Sequence, residues 1–110
     1  IYNKLKNTEK ARFNFTKALE LDPNYADANF MMGFIYLDES DALSKILRDM
    51  TGKEYQAKGK QMEAKREELY KKAVPYFEKS YAVIPEEQVK NQLIELYKRL
   101  KMDDKIKALK

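Results

Sequence analysis

The chain of 110 residues contains no cysteine and no histidine. Disulfide bonds, zinc sites made of thiolate or imidazole ligands, cysteine nucleophiles and imidazole acid-base catalysis are therefore excluded. Carboxylates, lysine and tyrosine remain as acid-base groups, but no pair such as Glu20 and Asp22 is forced into a cleft by the sequence pattern. We therefore predict that the protein is not an enzyme and that it uses no cofactor and no metal ion.

Glycine and proline are scarce, with three residues of each. An all-β domain needs many more turn residues, whereas the abundance of Ala, Leu, Glu and Lys favours helices. Apolar residues make up 44% of the chain, which is enough for a folded core at this length. The sequence therefore predicts a single all-α domain over residues 1–110.

The sequence also lacks any apolar run close to the ~20 residues that a membrane helix needs, so it predicts no membrane span. Its net charge of +4 arises from 22 basic and 18 acidic residues, mostly interleaved. Lysine far outnumbers arginine, the residue that makes bidentate contacts with phosphates and bases, so we predict no nucleic-acid partner. The absence of cysteine fits an oxidising or a reducing compartment equally well, and the localisation stays open.

The strongest pattern in the chain lies around a proline. Ala11, Phe15 and Ala18 fall on one stripe of a helix, and Pro23 cannot continue that helix because it lacks an amide donor. Asn24 is well suited to cap a following helix. The sequence thus predicts a hairpin of two helices with its turn at Pro23.

The dipeptide Ile-Tyr at position 1 recurs at position 35. A period of about 34 residues is typical of helical repeats. We therefore interpret residues 1–6 as the tail of a preceding helix and expect Asn7 or Thr8 to cap the next one.

A second copy of the proline pattern appears late, as Ala73, Phe77, Ser80 and Pro85. It lies much further along the chain than one repeat period beyond the first copy, so the unit between them carries an insert. The additional residues lie within 38–69 and have helical composition on both sides of a Thr-Gly dipeptide at position 51. We predict a projecting two-helix arm that turns there, with the dipeptide ending the outgoing helix.

The return helix of this arm carries an apolar residue at every seventh position. These residues are Tyr55, Met62, Leu69 and Tyr76. Such a heptad period predicts a narrow seam that packs against the outgoing helix. Apolar residues after Pro85 predict one further amphipathic helix and a short last one.

Together these patterns resemble the tetratricopeptide repeat family, in which paired helices stack into a right-handed superhelix. The residues that carry the resemblance are Ala11, Phe15, Ala18 and Pro23 at second-helix positions, and Gly33 and Tyr36 at first-helix positions. The departures from the family pattern are Asn29, where a large residue is usual, Met32 in place of leucine, Ser80 at a small-residue position, and Ile94 in place of the glycine.

The resemblance implies a division of the chain into three parts. Residues 1–37 would form a partial repeat and the first helix of the next, 38–69 the helical-hairpin insert, and 70–110 the remaining repeat with capping helices. The long-armed unit also resembles certain bacterial members of the family.

The resemblance further implies a non-catalytic scaffold that binds a protein or peptide in a concave groove lined by first helices. The groove positions of this chain are Asp27, Phe30, Phe34, Leu37, Asn91, Glu95, Lys98 and Arg99. Because Phe30 and Phe34 occupy sites where a clamp for a terminal carboxylate needs Lys and Asn, we predict instead an aromatic wall beside a mixed-charge wall. These phenylalanines are interpreted either as partner anchors or as packing residues.

Two alternative functions stay open at this point. One is a self-assembly module that forms homo-oligomers through its exposed ends and the arm, above all through the N-terminal hairpin with its apolar stripe of Phe13, Phe15 and Leu19. The other is a regulatory subunit of an enzyme complex.

Overall fold

A computed structural model describes residues 4–109 of the chain, and side chains from residue 8 to residue 109. Within this part the backbone forms helices and turns and no β-strand, so the predicted all-α fold is confirmed. The helices are α1 (Lys4–Leu21), α2 (Ala26–Arg48), the single turn α3 (Gly52–Glu54), α4 (Lys60–Val83), α5 (Glu87–Arg99) and α6 (Asp103–Leu109).

Helix α1 extends without interruption from Lys4, the first residue that the structure describes, to Leu21. The predicted helix tail followed by a cap at Asn7 or Thr8 is therefore wrong where the structure describes it, and residues 1–3 lie outside the described part. Asn and Thr cost at most about 0.7 kcal/mol relative to Ala inside a helix. Their preference for caps therefore does not force a helix to start.

The turn between α1 and α2 lies at Pro23, as predicted, but the hydrogen bonds that stabilise it differ from the predicted ones. The N-cap residue of α2 is Tyr25, which makes no side-chain capping bond. Asn24 instead donates its backbone N–H to Asp22 Oδ1 (3.2 Å), so the predicted Asn24 cap is wrong. Asn29, which is only 1% exposed, donates Nδ2 to the carbonyl oxygens of Pro23 and Tyr25, at 3.1 Å each. These two bonds explain why a polar residue is buried at the start of α2.

Helix α2 and the return helix form a long antiparallel hairpin over residues 38–69, with α2 ending at Arg48. Thr51 is the N-cap of the return helix. Its Oγ1 accepts the N–H of Glu54 (3.2 Å), and Glu54 Oε1 accepts the N–H of Thr51 (3.3 Å). This capping box satisfies two backbone donors. The Thr-Gly dipeptide therefore starts the return helix and does not end the outgoing one, contrary to our prediction.

A π-helical turn, Tyr55–Gly59, connects α3 to α4. The ring of Tyr55 lies over Gly59, where a Cβ would clash with a ring carbon, and its hydroxyl donates to Glu63 Oε1 (2.7 Å). This hydrogen bond raises the pKa of the Tyr55 phenol above its ordinary value. Tyr55 thus packs on its own helix and is exposed, so its predicted place in the seam is wrong. The extra residue of a π turn rotates the preceding residues by about 100° relative to α4.

Helix α4 lies at the centre of the fold, between α2 and α5, while α1 packs on α2 and α6 packs on α5. The second copy of the proline pattern lies in this core, since Ala73, Phe77 and Ser80 are all buried. Gly33 of α2 is also buried, and a Cβ there would lie 2.7 Å from the ring of Phe77. The close helix approach that Gly33 predicts is therefore confirmed. The main core cluster comprises Tyr70, Ala73, Val74, Phe77, Val89, Leu93, Leu96 and Tyr97.

Helix α5 ends in a Schellman motif. The N–H of Met102 donates to the carbonyl of Tyr97 (2.8 Å), and the N–H of Lys101 donates to the carbonyl of Lys98 (3.2 Å). Lys101 has a φ of 58°, the left-handed conformation that this motif requires. The motif turns the chain back so that α6 can cover the core.

Tyr97 connects α5 to α4 through a hydrogen bond. Its hydroxyl donates to Glu78 Oε2 (2.6 Å), and Lys105 Nζ lies 3.2 Å from the same oxygen. Burial, together with the Glu78 carboxylate, raises the pKa of the Tyr97 phenol. Three helices are thus joined at one carboxylate.

Candidate protein-binding surface

The eight predicted groove residues occupy two helices that the core holds in fixed positions. Asp27, Phe30, Phe34 and Leu37 lie on α2, and Asn91, Glu95, Lys98 and Arg99 lie on α5. Both helices pack directly on α4. The core cluster therefore sets the distance between α2 and α5.

A cleft of about 140 Å³ lies between α2 and α5. Helix α2 lines it with Phe34, Leu37, Asp38 and Asp41. Helix α5 lines it with Gln92, Glu95, Leu96 and Arg99. Four predicted residues therefore meet in one cleft, namely Phe34, Leu37, Glu95 and Arg99. We call this surface the α2–α5 cleft.

The other four predicted residues do not line the α2–α5 cleft. Asp27 is exposed in the first turn of α2, and Asn91 and Lys98 are exposed on α5. Phe30 is half-buried and packs against the core cluster. Their role in binding stays a prediction.

The two predicted phenylalanines are part of an aromatic cluster. Phe30 and Phe34 meet edge-on at 4.7 Å, and each meets the ring of Phe77 edge-on, at 5.6 and 5.9 Å. Edge-to-face pairs of this kind contribute about 0.5–1.5 kcal/mol beyond the area that they bury. Phe34 is therefore a wall of the α2–α5 cleft that the core holds in place, and the packing interpretation of both residues agrees with these contacts.

Arg99, on the opposite side of the cleft, is also held by the core. Its Nη1 donates to the hydroxyl of Tyr70 (2.7 Å), and its guanidinium carbon lies 5.3 Å from the centre of the same ring. Tyr70 is buried, so its position is set by the core cluster. An exposed arginine with a fixed direction loses little conformational entropy when it binds a partner.

Carboxylates dominate the rim of the α2–α5 cleft. Asp38, Asp41 and Glu95 are exposed, and within residues 8–109 none of them forms a hydrogen bond or an ion pair through its side chain. Arg99 is the single cation that lines the cleft among the described side chains. The mixed-charge wall on α5 stays a prediction, and the cleft as a whole carries more carboxylates than cations because α2 adds Asp38 and Asp41.

The sequence does not assign Asp38, Asp41, Gln92 or Leu96 to the groove. A signal for the two aspartates exists in their spacing, because Asp38 and Asp41 follow Phe34 by four and seven positions on the same face of α2. Acidic residues at these positions are equally typical of a solvated helix surface, which is the interpretation that the sequence alone favours. Tyr70, which orients Arg99, lies far away in the sequence and gives no such signal.

Neither a metal-binding cluster nor a membrane-spanning helix lies in the part of the chain that the structure describes. No group of three or more carboxylates between residues 8 and 109 could hold a metal ion. Among the helices that the structure describes, none combines the length and apolarity needed to cross a membrane.

Comparison with known proteins identifies the family. One model described as tetratricopeptide repeat matches residues 14–66, and a second model with the same description matches residues 1–25. No curated protein and no solved structure is significantly similar to the chain. Tetratricopeptide repeats are in general protein–protein interaction modules and typically lack catalytic activity. Since the two models together match residues 1–66 of 110 and the fold is a series of antiparallel helix hairpins, the chain belongs to the tetratricopeptide repeat family.

Proposed function

We propose that this protein is a non-catalytic binding module that receives a peptide segment of a partner protein in the α2–α5 cleft. The observation that carries the proposal is the cleft itself, in which side chains from two successive first helices meet beside an apolar wall. Phe34 and Leu37, both half-buried, supply that wall, and both pack against the core cluster.

The charge of the rim indicates the chemistry of the partner. The rim carries three exposed carboxylates that form no ion pair among the described side chains. Its one arginine already donates a hydrogen bond to Tyr70. A partner segment with a Lys or Arg beside an apolar side chain complements this surface in charge and in polarity. Exposed charges of this kind contribute roughly 0.2–1 kcal/mol each, so they select the partner and increase the association rate more than they increase affinity.

The test is selection of binding peptides from a random library displayed on phage. We expect enriched peptides to contain Lys or Arg next to an apolar residue. Their affinity should fall several-fold for the double variant Asp38→Asn/Asp41→Asn, in which two exposed carboxylates become neutral without a change of size. Glu67→Gln serves as the control, because Glu67 is exposed on α4 and does not line the cleft. If the enriched peptides bind all three proteins equally, the α2–α5 cleft is not the binding site.

Phe34→Ala and Arg99→Ala are poorer first tests than the aspartate variants. Removing the Phe34 ring also removes its contacts with Phe30 and Phe77, and removing Arg99 leaves the Tyr70 hydroxyl without its described donor. A loss of binding would then not separate the cleft from the core.

Exposed apolar side chains on the first hairpin support a second candidate function, self-association. Phe13 is 62% and Leu21 is 90% exposed on α1, and Met31 is 41% exposed on α2. Light scattering over a range of concentrations tests this candidate, with Phe13→Ser and Leu21→Ser expected to reduce the average mass. Ile46→Ser changes an exposed apolar residue of the long hairpin and should leave the mass unchanged. A strictly monomeric wild-type protein at high concentration would rule out self-association through this hairpin.

A further inference from the structure

A second and larger groove lies on the face of α2 opposite the α2–α5 cleft, along the seam with α4. It consists of two depressions of about 610 and 360 Å³ that share Glu68 and Lys72 as lining residues. Tyr36 and Tyr76 line the first depression, and Leu43 and Leu69 line the second. We call this surface the α2–α4 groove.

The floor of the α2–α4 groove is apolar and well positioned. Tyr36 and Tyr76 stack with their ring centres 5.8 Å apart and their planes inclined by 22°. Burial is the main cause that raises the pKa of the Tyr76 phenol above its ordinary value. Arg12 of α1 lies 5.3 Å from the centre of the Tyr36 ring and forms an ion pair with Glu39, which fixes one end of the floor.

The rim of the groove is basic. Lys65, Lys71, Lys72 and Lys79 line it, and none of them forms an ion pair within the described side chains. Two carboxylates also line the groove, Glu39 and Glu68. Glu39 is paired with Arg12, so among the described lining residues only Glu68 is left to balance the four lysines. Unlike the α2–α5 cleft, this surface therefore attracts anionic groups.

The lysines also have a regular spacing. Lys65, Lys72 and Lys79 recur at every seventh position along α4. With a rise of about 1.5 Å per residue they stand ~10.5 Å apart, in a row ~21 Å long. A second helix that lies along α4 repeats its contact face with the same period, because heptad positions return to one face.

We propose that the α2–α4 groove docks an acidic amphipathic helix of a partner protein. Its apolar side chains lie on Tyr36, Tyr76 and Leu69, and carboxylates at heptad spacing face the lysine row. The groove between two antiparallel helices has the shape that receives a third helix through its apolar face. Complementary charge fixes the register of that helix along α4.

The experiment uses two synthetic helical peptides of about 18 residues, long enough to span the lysine row. The first peptide has Glu at every seventh position beside Leu residues. The second has the same composition, with the Glu residues on the face opposite the Leu residues. Fluorescence anisotropy of labelled peptides gives the affinity, and far-UV circular dichroism verifies that each protein variant is folded. We expect the first peptide to bind at least about tenfold more tightly than the second, and its affinity to fall as salt is added.

Two double variants with the same change in net charge locate the site. Lys72→Glu/Lys79→Glu should weaken the first peptide by about tenfold or more, because two attractive contacts become repulsive. Lys53→Glu/Lys58→Glu reverses two exposed lysines of the same hairpin that do not line the groove, and should have little effect. Equal weakening by the two variants, or equal binding of the two peptides, would overturn the proposal.

Two further measurements separate the α2–α4 groove from the α2–α5 cleft and from a nucleic-acid site. The variant Asp38→Asn/Asp41→Asn changes only the α2–α5 cleft and should leave the affinity for the acidic helix unchanged; a loss of affinity in this variant would overturn the proposal. A single-stranded oligonucleotide that binds more tightly than the peptide, and loses affinity in Lys72→Glu/Lys79→Glu, would replace the acidic helix as the ligand of the groove and overturn the proposal as well.

Discussion

The substitution Gly33→Ala tests the most constrained contact between α2 and α4. Gly33 lies in the middle of α2, and its position faces the ring of Phe77. A Cβ at Gly33 would lie 2.7 Å from two atoms of that ring and 2.9 Å from a third. Because Phe77 is fully buried and also packs edge-on against Phe30 and Phe34, its ring cannot move away from Gly33 without disturbing other core contacts. The added methyl group must therefore strain the core.

Two opposing effects determine the magnitude. Replacing glycine by alanine inside a helix favours folding by about 1 kcal/mol through helix propensity. Adding a methylene to a filled core costs about 1–3 kcal/mol. We expect the upper end of this range, because the new Cβ would lie 2.7 Å from the buried Phe77 ring. We therefore expect Gly33→Ala to lower the free energy of unfolding by about 2 kcal/mol, roughly a 30-fold change in the folding equilibrium.

Urea denaturation followed by far-UV circular dichroism measures this change. Gly52→Ala is a matched control, because Gly52 is also helical but has no atom within 4 Å of its Cβ position. It should leave stability unchanged or raise it by up to about 1 kcal/mol. The cost of Gly33→Ala should shrink when it is combined with Phe77→Leu, which removes the opposing ring. A Gly33→Ala protein as stable as the wild type, or a cost that does not depend on Phe77, would refute the reasoning.

Three further predictions concern local features of the fold. Tyr97→Phe removes a hydrogen bond to the Glu78 carboxylate. It should therefore lower the free energy of unfolding at neutral pH by about 1.5 kcal/mol. Since the folded pKa of Tyr97 is raised, the bond stabilises the fold fully below about pH 10, where the unfolded phenol is protonated. The difference between wild type and variant in urea titrations should shrink above that pH, and a constant difference would contradict the linkage. Lys101→Gly should raise the free energy of unfolding in the same urea titrations by up to about 1 kcal/mol, because glycine adopts the left-handed conformation without a steric cost. A less stable variant would contradict this reasoning. Gly59→Ala should displace the Tyr55 ring and so break the hydrogen bond from its hydroxyl to Glu63. The Tyr55 pKa should then fall towards its ordinary value in an NMR titration of labelled tyrosine. An unchanged pKa would show that the ring keeps its position without the glycine.

The parts of the fold that the sequence predicts correctly rest on short-range physics. Pro23 lacks an amide donor and lies in a turn with Asp22 and Asn24, whereas Pro75 is accommodated inside the longer helix α4. The spacing of Ala73, Phe77 and Ser80 places these residues on one face of a helix. The start of α1 is predicted wrongly because Asn and Thr suit both a cap and a helix interior, and tertiary contacts decide between the two.

The π turn at Tyr55–Gly59 escapes prediction for a related reason. A heptad pattern counts residues and does not detect one extra residue per turn, so it assigns Tyr55 to the face of Met62 and Leu69. The local contacts with Gly59 and Glu63 hold the ring on its own helix instead.

The candidate binding surfaces are predictable only in part. The family pattern assigns Phe34, Leu37, Glu95 and Arg99 to first helices, and the structure brings these four residues to one cleft. The sequence pattern does not show that the aromatic rings also belong to the core, because their contact with Phe77 depends on the register of α4 against α2. That register is set by residues far apart in the chain.

Residues 38–69 explain why two surfaces of opposite charge share a single helix. A helix of the usual repeat length that ended near Leu37 would present Phe34 without Asp38 or Asp41, so the α2–α5 cleft would lose two carboxylates of its rim. The same residues supply Leu43, Lys65 and Glu68 to the α2–α4 groove. The α2 residues that line the cleft and the α2 residues that line the groove lie on opposite faces of the helix. A ligand bound in one of them therefore does not occupy the space of a ligand bound in the other. The long hairpin thus gives α2 enough length to line both surfaces, and the two proposals require ligands of opposite charge.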